Sequence, residues 1–115
     1  MKHLKKNKVV SGKRSYQKQV QSSLIASLIM RDKIVTNLSR AKVLRSAAEK
    51  LITQAKKNNL ASRRLILKVV PPKEADKLIT VIAPRYREKK GGYLRLSRLK
   101  NRFGDNAPQA VIEFT

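Results

Sequence analysis

Apolar positions keep a helical rhythm through the first two-thirds of this chain and change to strict alternation near its end. Val20, Leu24, Ile25, Leu28 and Ile29 fall on one stripe, with Ser22, Ser23 and Ser27 off it or at its edge, which predicts an amphipathic helix from Gln19. Arg31, Asp32 and Lys33 interrupt that pattern, and Ile34-Val35-Thr36 reads as a short β-branched strand. Ser39 is the predicted N-cap of a second helix whose inward positions are Ala41, Leu44, Ala48, Leu51, Ile52 and Ala55. Lys56 and Lys57 complement the dipole of its last turn, and Asn58-Asn59 ends it.

Leu60 to Val70 fits either a helix with Ala61, Leu65 and Val69 on one face or a buried strand. The helix is favoured because Ala61, Arg63 and Arg64 are good helix formers and Asn59 can cap. Pro71-Pro72 stops it, and a short helix follows with Ala75, Leu78, Ile79 and Ile82 inward, ended by Pro84. Beyond the Gly91-Gly92 turn, Leu94, Leu96 and Leu99 alternate with Arg95, Ser97 and Arg98 as a half-buried strand. The turn-forming run Gly104 to Pro108 precedes a closing strand with Ala110, Ile112 and Phe114 on one side and Val111 and Glu113 on the other. Helices early and strands late give an α+β class: a single compact domain with helices covering one face of a small sheet.

Charge changes the picture more than length does. The 115 residues carry 28 Lys and Arg against seven Asp and Glu, a net charge of +21. Self-repulsion on that scale weakens the compact state, and a polyanion with its phosphates would relieve it. Residues 1–18 read as an extended basic arm bearing Lys2, Lys5, Lys6, Lys8, Lys13, Arg14 and Lys18 without one acid, and residues 19–115 as the folded domain. The arm cannot offset its ordering entropy alone. Since the rest of the chain is also basic, it is expected to order along nucleic acid rather than remain a solvated tail.

Further basic clusters are Arg40, Lys42 and Arg45 on the long helix, Arg63 with Arg64, and a dense run that includes Arg85, Arg95, Arg98, Lys100 and Arg102. Arginine suits bidentate phosphate contacts. The five Tyr and Phe form no interleaved stacking platform, and Tyr93 at a strand start reads as core more readily than as a stacking residue. The expected mode is therefore recognition of shape and phosphate.

Catalytic machinery is thin. The chain lacks cysteine and has a single histidine, His3, so neither a thiolate metal site nor a histidine cluster can form. The seven acids are scattered among basic neighbours and are expected to pair with them, while Asp105 suits a turn-forming hydrogen bond. Gly91-Gly92 is too short to cradle a phosphate in a known nucleotide-binding motif. These features predict no enzyme, cofactor or small-molecule substrate. No stretch of about 18 apolar residues predicts a membrane span. The basic N-terminus lacks the apolar core of a secretory signal, although its composition also fits a mitochondrial transit peptide. A DNA-compacting protein would share the charge.

Gly91-Gly92-Tyr93-Leu94-Arg95-Leu96, followed by Gly104-Asp105-Asn106-Ala107-Pro108-Gln109-Ala110-Val111-Ile112-Glu113, strongly resembles the C-terminal signature of bacterial large-subunit ribosomal protein seventeen. Met1-Lys2-His3 resembles that family's start, and Ala41-Lys42, Leu44-Arg45, Leu51-Ile52-Thr53, Ala55-Lys56, Arg63-Arg64 and Pro84-Arg85 match in order and approximate spacing. The chain departs from the family at Tyr16-Gln17, Leu94 and Gln109.

The resemblance implies a compact fold with a small mixed sheet. It also implies a structural, non-catalytic role in the large ribosomal subunit in the cytoplasm. The implied partners are large-subunit ribosomal RNA, bound on the outer surface near the peptide exit tunnel, and ribosomal protein thirty-two. It weakens the transit-peptide reading and adds His3 to the candidate RNA-binding residues.

Overall fold

The computed structural model describes residues 14–115. Helix α1 (Arg14–Arg31) begins ahead of the predicted Gln19, so Arg14 to Lys18 are helical rather than part of an extended arm. This first stretch has almost no buried surface, and a helical turn without an apolar face leaves no periodic signal. The remainder of the predicted arm lies outside the described residues. Asp32, in the left-handed region at φ 67°, turns the chain from α1 into β1 (Lys33–Asn37).

Strand β1 passes into α2 (Leu38–Lys57) without a linker. Asn37 rather than Ser39 is therefore the N-cap, and its side-chain oxygen accepts from the Arg40 backbone N–H at 2.9 Å. All six predicted inward positions of α2 are buried. Asn58 ends the helix at φ 49°, and Asn59 caps α3 (Leu60–Leu67) by accepting from Ser62 N at 2.8 Å. The inward face of α3 differs from the expected one. Ser62, Ile66 and Val70 are buried, whereas Ala61 and Leu65 are exposed. A serine on the inner stripe, its hydroxyl 3.4 Å from Gln54 Oε1, hid that face from an apolar reading.

The next helix does not stop at Pro84. Helix α4 (Pro72–Lys77) runs through a π-helical stretch, Leu78–Ile82, into α5 (Ala83–Arg85). Proline offers no N–H and crowds the carbonyl four residues back. The wider π turn, in which Ala83 N donates to Leu78 O, lets the path continue past it. Leu78 and Ile82 are thereby kept in the core.

Strands β2 (Leu94–Leu99) and β3 (Gln109–Phe114) complete a three-stranded sheet in the order β1-β3-β2. Both outer strands pair antiparallel with β3, so the sheet is antiparallel rather than the mixed one the resemblance implied. Ile34, Ile112 and Leu96 lie in register toward the helices. Strict alternation places Leu99 on the opposite face with Arg95 and Ser97, and it is exposed rather than inward. Ile112 meets Ile25, Leu28, Leu44, Ile52, Ile66 and Ile82 in one core. Tyr86 packs between Tyr93 (centroids 5.3 Å apart) and Phe114 (6.5 Å), fastening the sheet to the end of the π-containing helix. The architecture is α+β, with helices on one side of the sheet.

Candidate nucleic-acid interface

A basic groove of about 720 Å³ lies between α2 and the Gly91-Gly92-Tyr93 turn. Helix α2 brings Lys42, Arg45 and Lys50 to its wall, together with Ser46 and Thr53. The opposite wall is fixed to the helix because Tyr93 N donates to Glu49 Oε2 at 3.0 Å. Gly92, at φ 65°, makes the turn that leads into this contact.

Tyr93 is 1% exposed, so its ring forms a buried base to the turn and is no stacking surface. Lys56 Nζ donates to the Tyr93 hydroxyl at 3.0 Å and lies 5.0 Å from the ring centroid. That hydrogen bond holds the Tyr93 phenol below its ordinary value, while burial pushes the neighbouring Tyr86 phenol up.

From Tyr93, strand β2 runs back along the sheet toward the start of α2. Leu99 pairs with Gln109, which pairs in turn with Asn37 immediately ahead of α2. Arg98 and Lys100 thus lie at the same end of the fold as Arg40 and Lys42. Arg98 and Lys100 are exposed, whereas Arg40 is half-buried, its Nε without a hydrogen-bond partner among the described residues.

The other candidates do not join this flank. Arg63 and Arg64 sit on α3, Arg85 on α5, and exposed Arg14 at the beginning of α1. Lys2, His3, Lys5, Lys6 and Lys13 lie outside the described residues. The sequence did not single out Lys50, which lies eight residues, about two turns, beyond Lys42 on the same helix.

Five of the candidate arginines hold a carboxylate. Arg63 meets Asp76 at 2.5 Å, Arg95 meets Glu113 at 2.7 Å, Arg45 meets Glu49 at 3.6 Å and Arg85 meets Asp32 at 3.8 Å. Arg102 pairs with Asp105 across the β2–β3 turn. Local pairing of the acids was expected from the sequence, and Glu49 and Asp105 follow it, whereas Asp32, Asp76 and Glu113 pair with arginines distant in sequence; Glu74 instead has Oε2 buried without a partner among the described residues. Glu113 also lies opposite Lys33 in the register of the outer sheet face. All five arginines remain substantially exposed, between 41% and 64%. Exposed pairs of this kind contribute little to stability, so a phosphate can compete for the guanidinium.

No group of three or more His, Cys, Asp or Glu capable of holding a metal occurs among the described residues. Nor is any helix among them long and apolar enough to cross a membrane. Chemically, the arrangement offers fixed cations and hydrogen-bond donors at several surfaces.

Residues 20–115 match the family model described as ribosomal protein L17. The large ribosomal subunit protein bL17 of Mesomycoplasma hyopneumoniae strain 7448 is 47% identical over 106 residues, covering 86% of this chain and 88% of that protein. The protein of the same name from Syntrophotalea carbinolica is 39% identical over 114 residues, covering 98% of this chain and 74% of its own length.

Proposed function

The chain belongs to the ribosomal protein L17 family, and from that premise we propose that it is a non-catalytic constituent of the large ribosomal subunit that binds large-subunit ribosomal RNA. The observation carrying this reading is the basic flank along α2 and β2, where Lys42, Arg45, Lys50, Arg98 and Lys100 are positioned by the packed fold. Cations at fixed separations reduce repulsion between RNA segments that must approach one another, and their spacing selects a shape. Arg63 and Arg64 on α3, together with Arg85, supply contacts on other sides of the body. Lys2, His3, Lys5, Lys6, Lys13 and Arg14 extend the contact from the N-terminal end.

We infer a site on the outer surface of the subunit near the peptide exit tunnel, beside ribosomal protein thirty-two, in the bacterial cytoplasm; the family resemblance supports this reading. Sedimentation of cell extract through a sucrose gradient tests the assignment. The protein should co-migrate with the large subunit after a moderate-salt wash and appear at the top of the gradient once the RNA is digested. In competition, a folded large-subunit rRNA segment should displace duplex DNA of equal length. Equal affinity for the two would favour an architectural DNA-binding role instead.

A further inference from the structure

On the reading of the chain as an rRNA binder, we propose that Phe103, at the tip of the β2–β3 hairpin, stacks on an unpaired base of the bound RNA. Its side chain is fully in water, at 102% relative exposure, while Tyr86 and Tyr93 are buried and Phe114 packs against Tyr86. A scattered exposed Leu or Val is ordinary on a protein surface. Phe103 is different because it contributes no packing to the fold and stands on a loop fastened on both sides.

Arg102 N donates to Ala107 O at 2.8 Å, and Asn106 N donates to Arg102 O at 2.9 Å. The Asp105 carboxylate accepts from the Arg102 guanidinium and, at 3.1 Å, from Ala107 N, while the Asn101 amide donates to Asn106 Oδ1 at 3.1 Å. Gly104 at φ 103° makes the reversal immediately after the ring. A tip already held in one shape loses little conformational freedom on contact, so a single ring can contribute most of its interaction energy.

Charge identifies the occupant. Exposed Arg98, Lys100 and Arg102 precede the ring on the same hairpin. An apolar pocket on a protein would have to desolvate these cations, whereas RNA offers phosphates to them and a flat apolar face to the ring. A paired base in a helix has both faces covered, so the base must come from a loop, bulge or end. Every base has such a face, and the contact therefore reads exposure of a nucleotide rather than its identity.

The test uses the full chain with Phe103→Trp, Phe103→Ala and Phe103→Leu. The sequence contains no tryptophan, so Phe103→Trp carries a single indole at the tip. Saturating large-subunit rRNA should quench that indole and shield it from acrylamide. Phe103→Ala should weaken binding by about 5- to 150-fold, with Phe103→Trp near wild type and Phe103→Leu near the alanine variant. The slope of affinity against salt should stay the same, because the ring carries no charge.

Wild-type affinity in Phe103→Ala would overturn the proposal. So would recovery in Phe103→Leu, or an indole that stays bright and accessible in the complex. Shielding in the complete subunit but not by rRNA alone would assign the ring to a neighbouring protein and equally overturn it. Failure of the wild-type chain to bind rRNA would instead remove the parent reading, and this inference with it.

Discussion

Five of the arginines that the sequence marks as candidate RNA contacts already hold a carboxylate in the free protein. Each acid fixes the direction of a guanidinium at a cost small enough for a phosphate to displace it. Asp105 shows the effect most sharply. Its carboxyl is held down to about 2, first by the Arg102 side chain and then by the Ala107 N–H. Because the folded value lies below the ordinary 3.8, this contribution to the hairpin is complete above that ordinary value. It is lost as the pH falls through about 2. An NMR titration of the carboxyl carbon should find the Asp105 midpoint near 2 and should find it raised toward 3.8 in Arg102→Ala. A wild-type midpoint already at the ordinary value would show that the pair does not form in solution.

At the scale of elements, α3 separates what periodicity reveals from what it conceals. The buried line runs through Ser62, Ile66 and Val70, one position along from the apolar line Ala61, Leu65 and Val69 that the sequence suggests. Ile66→Ala should therefore destabilise the protein by about 2–5 kcal/mol, whereas Leu65→Ala should change stability by no more than about 0.5 kcal/mol. Denaturant unfolding of the two variants distinguishes the faces, and the reverse order would place Leu65 inside. Helix α2 was legible because every inward position is apolar and its end is marked by two asparagines. Strands β2 and β3 were legible by alternation, except that Leu99 looked inward from composition when the pleat turns it out.

Signals for the other features were weak or misleading. Pro84 suggested a stop because a π turn is not encoded in apolar spacing. The cap fell on Asn37 because β1 and α2 join without a loop. For the interface, the basic clusters were visible in sequence, but not the antiparallel course of β2 that brings Arg98 and Lys100 to the end where Arg40 and Lys42 lie. The carboxylate partners of Arg63, Arg85 and Arg95 were invisible as well. Asp76 is distant from Arg63 in sequence, and only the packing of α3 against α4 joins them.

For the whole molecule, the net charge of +21 has opposite effects on folding and on binding. At about 0.01 M salt the screening length is roughly 30 Å, comparable with the 43 × 35 × 25 Å dimensions of the fold, so positive charges repel across the entire body. At about 0.15 M it is roughly 8 Å, and only neighbouring groups still interact strongly. Raising sodium chloride between these limits should increase the Tm of the free protein, by about 4–8 °C for each ~1 kcal/mol of repulsion removed.

The same salt should weaken rRNA binding, because each phosphate contact releases condensed counterions; with about 6–10 contacts, the loss between 50 and 200 mM is on the order of 10³–10⁵. Thermal unfolding and RNA titration across one salt series make the comparison directly. A Tm that falls with salt would mean that the carboxylate pairs outweigh the repulsion. Seven acids can pair with only a few of the 28 cations, so the binding charge would remain and only the dominance of repulsion would be refuted.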